Sequence, residues 1–293
     1  MTNPVLVIGG NSLLGQTVAL ELTQAGRRVL CTTRRPQRAQ EKQNTFLDLA
    51  STQTPANLLS IKPHTVIFCA ALTSQKACED DQLTSMQVNV NSVFRISQEF
   101  LSMGSNVVYM SSNAVFSGQF PHTSATSPIT ASSVYGKQKA EAETRLLTLG
   151  NKICILRFSK LSHSLLPLIK GWAESVSNKN IIYPFSNAPL SPVSTQLAAR
   201  AVRLVAERPI PGISQLSASR DISYADAAYF LANKLGWPIN YVHPVNSIDH
   251  SGIVFPDYTT MDCSKLASFG IDSPEPELAL DDLATKMREE CRS

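Results

Sequence analysis

The chain has 293 residues, 43% of them hydrophobic and 17% charged, which is enough to bury a large core and too apolar for a disordered chain. With 26 Lys and Arg against 23 Asp and Glu, the formal charge of +3 gives no whole-chain attraction to nucleic acid or to an anionic membrane, so any anion site must be local. No run reaches the roughly 18 apolar residues of a bilayer span, and the N-terminus lacks a basic region followed by a long apolar stretch, so a cytoplasmic protein is expected.

Val5–Ile8 reads as a strand, Gly9-Gly10-Asn11-Ser12-Leu13-Leu14-Gly15 as a glycine-rich turn, and Leu14–Ala25 as a helix. A strand, such a turn and a helix N-terminus together form the setting in which backbone amides and the helix dipole hold phosphate. Gly9 and Gly10 permit the tight turn, and Gly15 permits close packing of helix on strand. Ser12 occupies the middle position, where glycine is expected. Its hydroxyl is expected either to bond a cofactor pyrophosphate or to hold it slightly farther from the backbone.

The next strand, Arg28–Thr32, runs into Thr33-Arg34-Arg35, with Arg38 close behind. An acid at this point would bind the ribose hydroxyls of NAD, whereas arginine accommodates a 2′-phosphate. Guanidinium groups form strong charge-assisted bonds to phosphate, so Thr33, Arg34 and Arg35 favour NADP(H) over NAD(H).

Strands follow at Thr65–Cys69, Asn106–Met110 and Lys152–Arg157, with helices at about Leu83–Met103 and at Ser133–Leu149. The strands are almost continuously apolar, as in parallel sheets covered on both faces, and the alternation with helices is that of βαβ units. The helix at 133–149 is read with Lys, Arg and Glu on one face and Ala and Leu on the other. Tyr135 and Lys139, four apart, share a helix face, and the ammonium is expected to lower the phenol's pKa from about 10 towards neutrality. Ser112, at the end of a parallel strand, is placed to polarise the carbonyl to which that phenol would give its proton.

After Arg157 prolines and serines become frequent, and helices are expected at Leu161–Ser177, Gln196–Glu207 and Ser223–Leu235, with loops at Asn187–Ser194 and Asp272–Glu277. The expected organisation is an α/β dinucleotide-binding core over residues 1–160 and a smaller, partly interleaved region over 161–293. Six cysteines (Cys31, Cys69, Cys78, Cys154, Cys263 and Cys291) and five histidines are scattered without metal-ligand spacing, so no metal is expected. Trp172 and Trp237 are read as packing residues.

These motifs together resemble those of the extended short-chain dehydrogenase/reductases. Gly9-Gly10-Asn11-Ser12-Leu13-Leu14-Gly15 is similar to that family's G-x-x-G-x-x-G, Asp48-Leu49 resembles its adenine-side acid and neighbour, and Ala70-Ala71 resembles its cofactor-contacting turn. Ser112, Tyr135 and Lys139 fall on its catalytic positions, and Asn89 on its structural or proton-relay asparagine. Ser111-Ser112-Asn113-Ala114-Val115-Phe116-Ser117-Gly118 is most similar to the dTDP-4-dehydrorhamnose reductase-like branch.

The resemblance implies a Rossmann-type doubly wound sheet that binds NADP(H) through Gly9, Asn11, Ser12, Leu13, Leu14, Thr33, Arg34, Arg35, Asp48, Leu49, Ala70, Ala71, Tyr135 and Lys139. It implies reduction of a keto-sugar, carried on a nucleotide, with Tyr135 as proton donor, in a protein that would pair as a homodimer. Asn113 and Ala114 replace the Asp-Glu pair of the 4,6-dehydratases, which argues against dehydration; a 4-epimerase and a non-catalytic NADP-binding regulatory subunit stay open. Val254-Phe255-Pro256 lacks the basic residues with which the branch meets a diphosphate, leaving Lys160, Lys170, Arg200 and Arg220 as substitutes.

Overall fold

A computed structural model of the chain describes residues 3–36, 44–251 and 255–290; Arg38, Val254 and Cys291 lie outside the described residues. The chain begins β1 (Val5–Ile8), α1 (Leu13–Gln24), β2 (Val29–Thr33), β3 (Asn44–Phe46), α2 (Ala56–Leu59), β4 (Thr65–Phe68), α3 (Gln75–Asp80) and α4 (Gln82–Met86). A π-helical turn (Gln87–Asn91) leads into α5 (Ser92–Ser102), β5 (Asn106–Ser112), α6 (Val134–Leu147), β6 (Ile153–Phe158), α7 (Leu166–Ser177), β7 (Pro189–Leu190), α8 (Thr195–Glu207) and β8 (Gly212–Leu216). It ends with β9 (Ile222–Ser223), α9 (Tyr224–Leu235), α10 (Ser247–Ser251), α11 (Ser264–Ala267) and α12 (Pro276–Glu290).

Seven strands form one sheet in the order β3-β2-β1-β4-β5-β6-β8, with parallel pairing of β1 to β2 and β4, of β2 to β3, and of β4 to β5. Every residue of β1, β4 and β6 is buried, which is why these segments read as nearly continuous apolar runs, broken only by Thr65 and Arg157. The strand order reverses between β1 and β4. Ligands of such sheets bind beyond the carboxyl ends of the strands at that switch point, which here means the turn after Ile8 and the segment after Phe68.

The structure divides into two interleaved units, residues 1–116, 128–157 and 199–214 in one and residues 117–127, 158–198 and 215–293 in the other. The chain therefore passes between units in several places, the end of β6 among them. The first unit is built on the sheet, with a core in which Leu6, Ile8, Phe68, Ile96, Phe100, Tyr109, Leu146 and Ile155 are almost fully enclosed. The second has its own core of Ile169, Trp172, Leu190, Leu231, Leu280 and Leu283, with Trp237 packed against it, and a short antiparallel pair, β7 with β9. In that unit α9 starts with a capping box: Ser223 Oγ accepts from Asp226 N at 3.0 Å while the Asp226 carboxylate accepts from Ser223 N at 2.8 Å. Among the described residues no helix is long and apolar enough to cross a membrane, and no group of three or more His, Cys, Asp or Glu is placed to hold a metal ion.

Candidate active site

The turn after β1 is shaped by close approach. Gly9 has φ +86°, and a Cβ there would stand 2.6 Å from Ala70 Cβ and 2.7 Å from Ala70 N, so glycine lets this turn lie directly on the segment after β4. A Cβ on Gly15 would meet Gly9 O at 2.2 Å, which fixes how tightly α1 docks on the turn.

Ser12 is the N-cap of α1. With φ −71° it has no need of glycine, and its Oγ accepts from Gly15 N at 2.9 Å and donates to Gly9 O at 2.9 Å. The hydroxyl proton is thus already committed inside the turn, and the expected bond from Ser12 to a pyrophosphate would have to break it. The amides left without a protein acceptor at this helix start are those of Leu13 and Leu14. The two side chains part company: Leu14 is buried, whereas Leu13 is 53% exposed, so the apolar face begins one residue later than the sequence suggests.

Asn11 Nδ2 donates to Thr33 Oγ1, which also accepts from Arg35 N at 3.0 Å, so the turn is tied to the end of β2. Arg34 and Arg35 are exposed beyond it and pair with no described carboxylate. Asp48 is half-buried, its Oδ1 accepting from Ala50 N at 2.9 Å, and Leu49 beside it is buried. Ala70 and Ala71 are half-buried, and Leu72 exchanges two hydrogen bonds with Asn89, accepting from Nδ2 at 3.0 Å and donating to Oδ1 at 2.9 Å. The residues present fit a dinucleotide: amides at a helix N-terminus and two guanidinium groups past the second strand that have no partner among the described residues, and a glycine floor that a Cβ would fill.

The second group of residues lies at the end of β5 and the start of α6. Ser133 caps α6 by accepting from Gly136 N at 3.1 Å, and a Cβ on Gly136 would sit 2.2 Å from Ala114 O, so the helix N-terminus rests on the residues just after Ser112. There the Ser112 hydroxyl lies near enough to the Tyr135 phenol to act on its acidity, and Ser112 Oγ accepts from Ala114 N at 3.2 Å and donates to Asn113 Oδ1 at 3.3 Å. Lys139 is 3% exposed; its Nζ donates to Met110 O at 2.8 Å and lies 4.6 Å from the centre of the Tyr109 ring and 5.8 Å from that of Tyr135.

Burial pushes the Tyr135 phenol well above its ordinary value, with the Ser112 bond acting in the other direction, and pushes Lys139 down to about 8, against the opposing pull of Glu143. This corrects the sequence expectation of a phenol lowered by its lysine. Desolvation outweighs the neighbouring cation because the ammonium is turned to the Met110 carbonyl. What the arrangement offers is a neutral phenol, able to give up a proton, beside a serine hydroxyl.

Reading α6 as one charged face and one apolar face also needs correction. Gln138, Lys139 and Glu143 are all buried. Gln138 Oε1 accepts from Asn89 Nδ2 at 2.9 Å, and its Nε2 donates to Ser85 Oγ at 2.7 Å. Gln138 thereby joins α6 to the segment after β4, and nothing in its polar side chain distinguishes it in sequence from a solvated residue. Desolvation raises the Cys69 thiol to about 12 and raises Cys31 and Cys78 as well, which disfavours their thiolate forms.

Of the four cations considered for a diphosphate, two are engaged with acids. Lys170 Nζ is 2.7 Å from Glu290 Oε2, and Arg220 is paired with Glu275 and Glu277. Lys160 and Arg200 are exposed, and no described carboxylate pairs with either.

A family model described as RmlD substrate binding domain matches residues 2–289. The methionine adenosyltransferase 2 subunit beta of Rattus norvegicus is 24% identical over 292 residues, covering 93% of this chain and 84% of that protein. A dTDP-4-dehydrorhamnose reductase of Aggregatibacter actinomycetemcomitans is 25% identical over 300 residues, covering 94% and 96%. Among solved structures, the dTDP-4-dehydrorhamnose reductase of Bacillus anthracis in complex with NADP superposes with a TM-score of 0.83 at 20% identity, covering 98% of this chain and 99% of that one. The UDP-glucose 4-epimerase of Thermotoga maritima reaches 0.82 at 15% identity, covering 98% and 99%. These two likenesses show that the chain shares their fold.

Proposed function

The chain belongs to the RmlD substrate binding domain family, and on that premise we propose that it is an NADP(H)-dependent oxidoreductase that reduces a keto group of a nucleotide-linked sugar. The observation that carries this reading is that the start of α6 packs on Ala114, which brings Tyr135 beside Ser112 at the carboxyl end of β5, with the buried Lys139 one helical turn further along the same face. The reductases named above lend it support, since one is solved with NADP.

NADPH, when bound, supplies a hydride to the carbonyl carbon. The protein does the rest: the Ser112 hydroxyl holds the carbonyl oxygen, the Tyr135 phenol gives that oxygen its proton to form the alcohol, and the Lys139 ammonium stabilises the phenolate left behind. Gly9, the Leu13 and Leu14 amides, Thr33, Arg34, Arg35, Asp48 with Leu49, and Ala70 with Ala71 are the residues that would hold the cofactor. A 4-epimerase would use the same three side chains but recycle its cofactor, so net consumption of NADPH separates the two.

The test is loss of NADPH absorbance on mixing purified protein with a panel of nucleotide-linked keto-sugars that includes dTDP-4-dehydrorhamnose. Turnover with NADPH and little with NADH is expected; no turnover with any member, or preference for NADH, would overturn the proposal. A second reading, a regulatory subunit, draws on the likeness to methionine adenosyltransferase 2 subunit beta proteins. It predicts co-elution with a methionine adenosyltransferase catalytic subunit and a changed rate of that enzyme. Location in the cytoplasm and assembly as a homodimer belong to the proposal, and the latter is tested by light scattering.

A further inference from the structure

Three polar side chains inside the sheet-based unit form a chain of hydrogen bonds that an apolar core would not need. Ser85 on α4, Asn89 in the π-helical turn and Gln138 on α6 are 0%, 1% and 3% exposed. Polar groups this deep cost stability unless each is paired, and once paired they specify a single arrangement. Here the direction of each bond follows from the ends of the chain. Ser85 Oγ is within reach of two backbone carbonyls, Cys78 O at 3.2 Å and Gln82 O at 3.3 Å, which can only accept, so its proton is turned to them. Its oxygen is left to accept from Gln138 Nε2 at 2.7 Å. Gln138 therefore presents Oε1 to Asn89, whose Nδ2 donates to it at 2.9 Å. The same Nδ2 donates to Leu72 O at 3.0 Å, and Asn89 Oδ1 accepts from Leu72 N at 2.9 Å.

Both ends of this chain lie at the candidate site. Gln138 directly precedes Lys139. Leu72 directly follows Ala70 and Ala71, and Ala70 lies against the glycine turn, where a Cβ on Gly9 would stand 2.6 Å from Ala70 Cβ. In the strand order β2-β1-β4-β5, Arg34 and Arg35 stand past the end of β2 on one side of that turn, and Ala70, Ala71 and Ser112 stand at the ends of β4 and β5 on the other. A dinucleotide laid across the switch point keeps its adenosine half on the β2 side, which leaves the nicotinamide half to the β4 side.

We propose that Gln138 is a positioning residue: by fixing the Asn89 amide it holds Leu72, and with it Ala70 and Ala71, in register with Lys139 for the nicotinamide half of the cofactor. It acts through Asn89 and Leu72 and touches neither substrate nor cofactor. The proposal rests on the cofactor reading given above, but one arm of its test is independent of that reading.

The working variant is Gln138→Met, which keeps the length of the side chain but can neither accept from Asn89 nor donate to Ser85. In cofactor-free protein, hydrogen exchange at the Leu72 amide, followed by NMR, is expected to speed up by about 10-fold or more beyond any change at the core amides of β1 and β6. In calorimetry, NADPH affinity is expected to fall by about 10-fold, while affinity for 2′,5′-ADP, which carries the adenosine half alone, stays within about twofold of wild type. A role in stability alone would weaken both nucleotides alike or neither. Either of those results in folded Gln138→Met overturns the proposal, and so does a Leu72 amide that exchanges as in wild type. If Gln138→Met does not fold, Ser85→Ala takes its place, cutting the chain at its far end. A selective loss of about threefold for NADPH is expected there, and equal effects on the two nucleotides overturn the proposal. Wild-type protein that binds neither nucleotide counts against the cofactor reading, and the Leu72 exchange rate still decides whether Gln138 holds that segment.

Discussion

Replacing Gly136 by alanine separates the position of the catalytic helix from its stability. The new Cβ would stand 2.2 Å from Ala114 O, where ordinary contact begins at 3.4 Å, so the start of α6 must back away by roughly 1 Å. Alanine gains about 1 kcal/mol of helix propensity over glycine, and overpacking of this kind costs about 1–3 kcal/mol. The net loss of up to about 2 kcal/mol leaves a folded protein. The function suffers more, because Tyr135 is the preceding residue and Ser112 lies two residues before Ala114, so the retreat carries the phenol away from the serine hydroxyl. A displacement of about 1 Å at a reacting group costs on the order of 100-fold in rate. The assay is NADPH-dependent turnover alongside thermal unfolding. A folded Gly136→Ala protein that turns over within about threefold of wild type would refute the claim that the contact with Ala114 sets the catalytic geometry.

Tyr135→Phe is expected to lower turnover by about 10²–10⁴-fold while NADPH affinity, read by fluorescence titration, stays within a few-fold of wild type. Arg34→Ala/Arg35→Ala is expected to weaken NADPH binding by about 10–100-fold, the worth of one or two charge-assisted bonds, and to leave NADH binding unchanged in calorimetry. Ser12→Ala is expected to cost about 1 kcal/mol in denaturant unfolding through loss of the α1 cap, Ser12→Gly only a few tenths, and neither to change NADPH affinity much. Lys139, lowered from 10.5 to about 8 in the folded chain, binds its proton more weakly there than when unfolded. The unfolded state therefore holds more protons between about pH 8 and 10.5, and stability should rise with pH across that window in wild type relative to Lys139→Met. Parallel unfolding curves for the two proteins over that range would contradict this.

The strands β1, β4 and β6 were legible because every residue in them is buried and nearly all are apolar, and β2 and β5 because residues 29–31 and 107–110 form apolar runs within them. The three-residue edge strand β3, Asn-Thr-Phe, has no such run. In β8, Gly-Ile-Ser-Gln-Leu, the buried Ser214 and Gln215 hide the strand, since polar residues inside a core look the same in sequence as polar residues in a loop. The helix α12 was masked by the prolines at its start, which were read as loop over Asp272–Glu277 although a proline fits the first turn of a helix. At the site, the turn, the paired arginines and Ser112, Tyr135 and Lys139 could be located because their spacing implies a shared face or strand end. Which hydrogen bond each would make could not. The commitment of the Ser12 proton to Gly9 and the aim of Lys139 at Met110 depend on backbone carbonyls that no side-chain pattern encodes. Glu143 and Arg157 were hidden for a related reason, since fourteen positions of sequence separate two charges that meet only when α6 lies over β6.

The π-helical turn at Gln87–Asn91 sets the phase of the segment that surrounds it. An α-helix advances by about 100° per residue, so one extra residue in a single turn rotates everything after it by that amount relative to an uninterrupted helix. Ser85, before the turn, reaches Gln138, and Asn89, within it, reaches both Gln138 and Leu72; Ser92, after it, gives its hydroxyl proton to Leu49 O at 2.7 Å. These anchors fall into line only with the insertion in place. Shortening the turn by one residue would restore regular helix locally, yet force a choice between the anchors on either side, so the segment tolerates substitution far better than it tolerates a change of length.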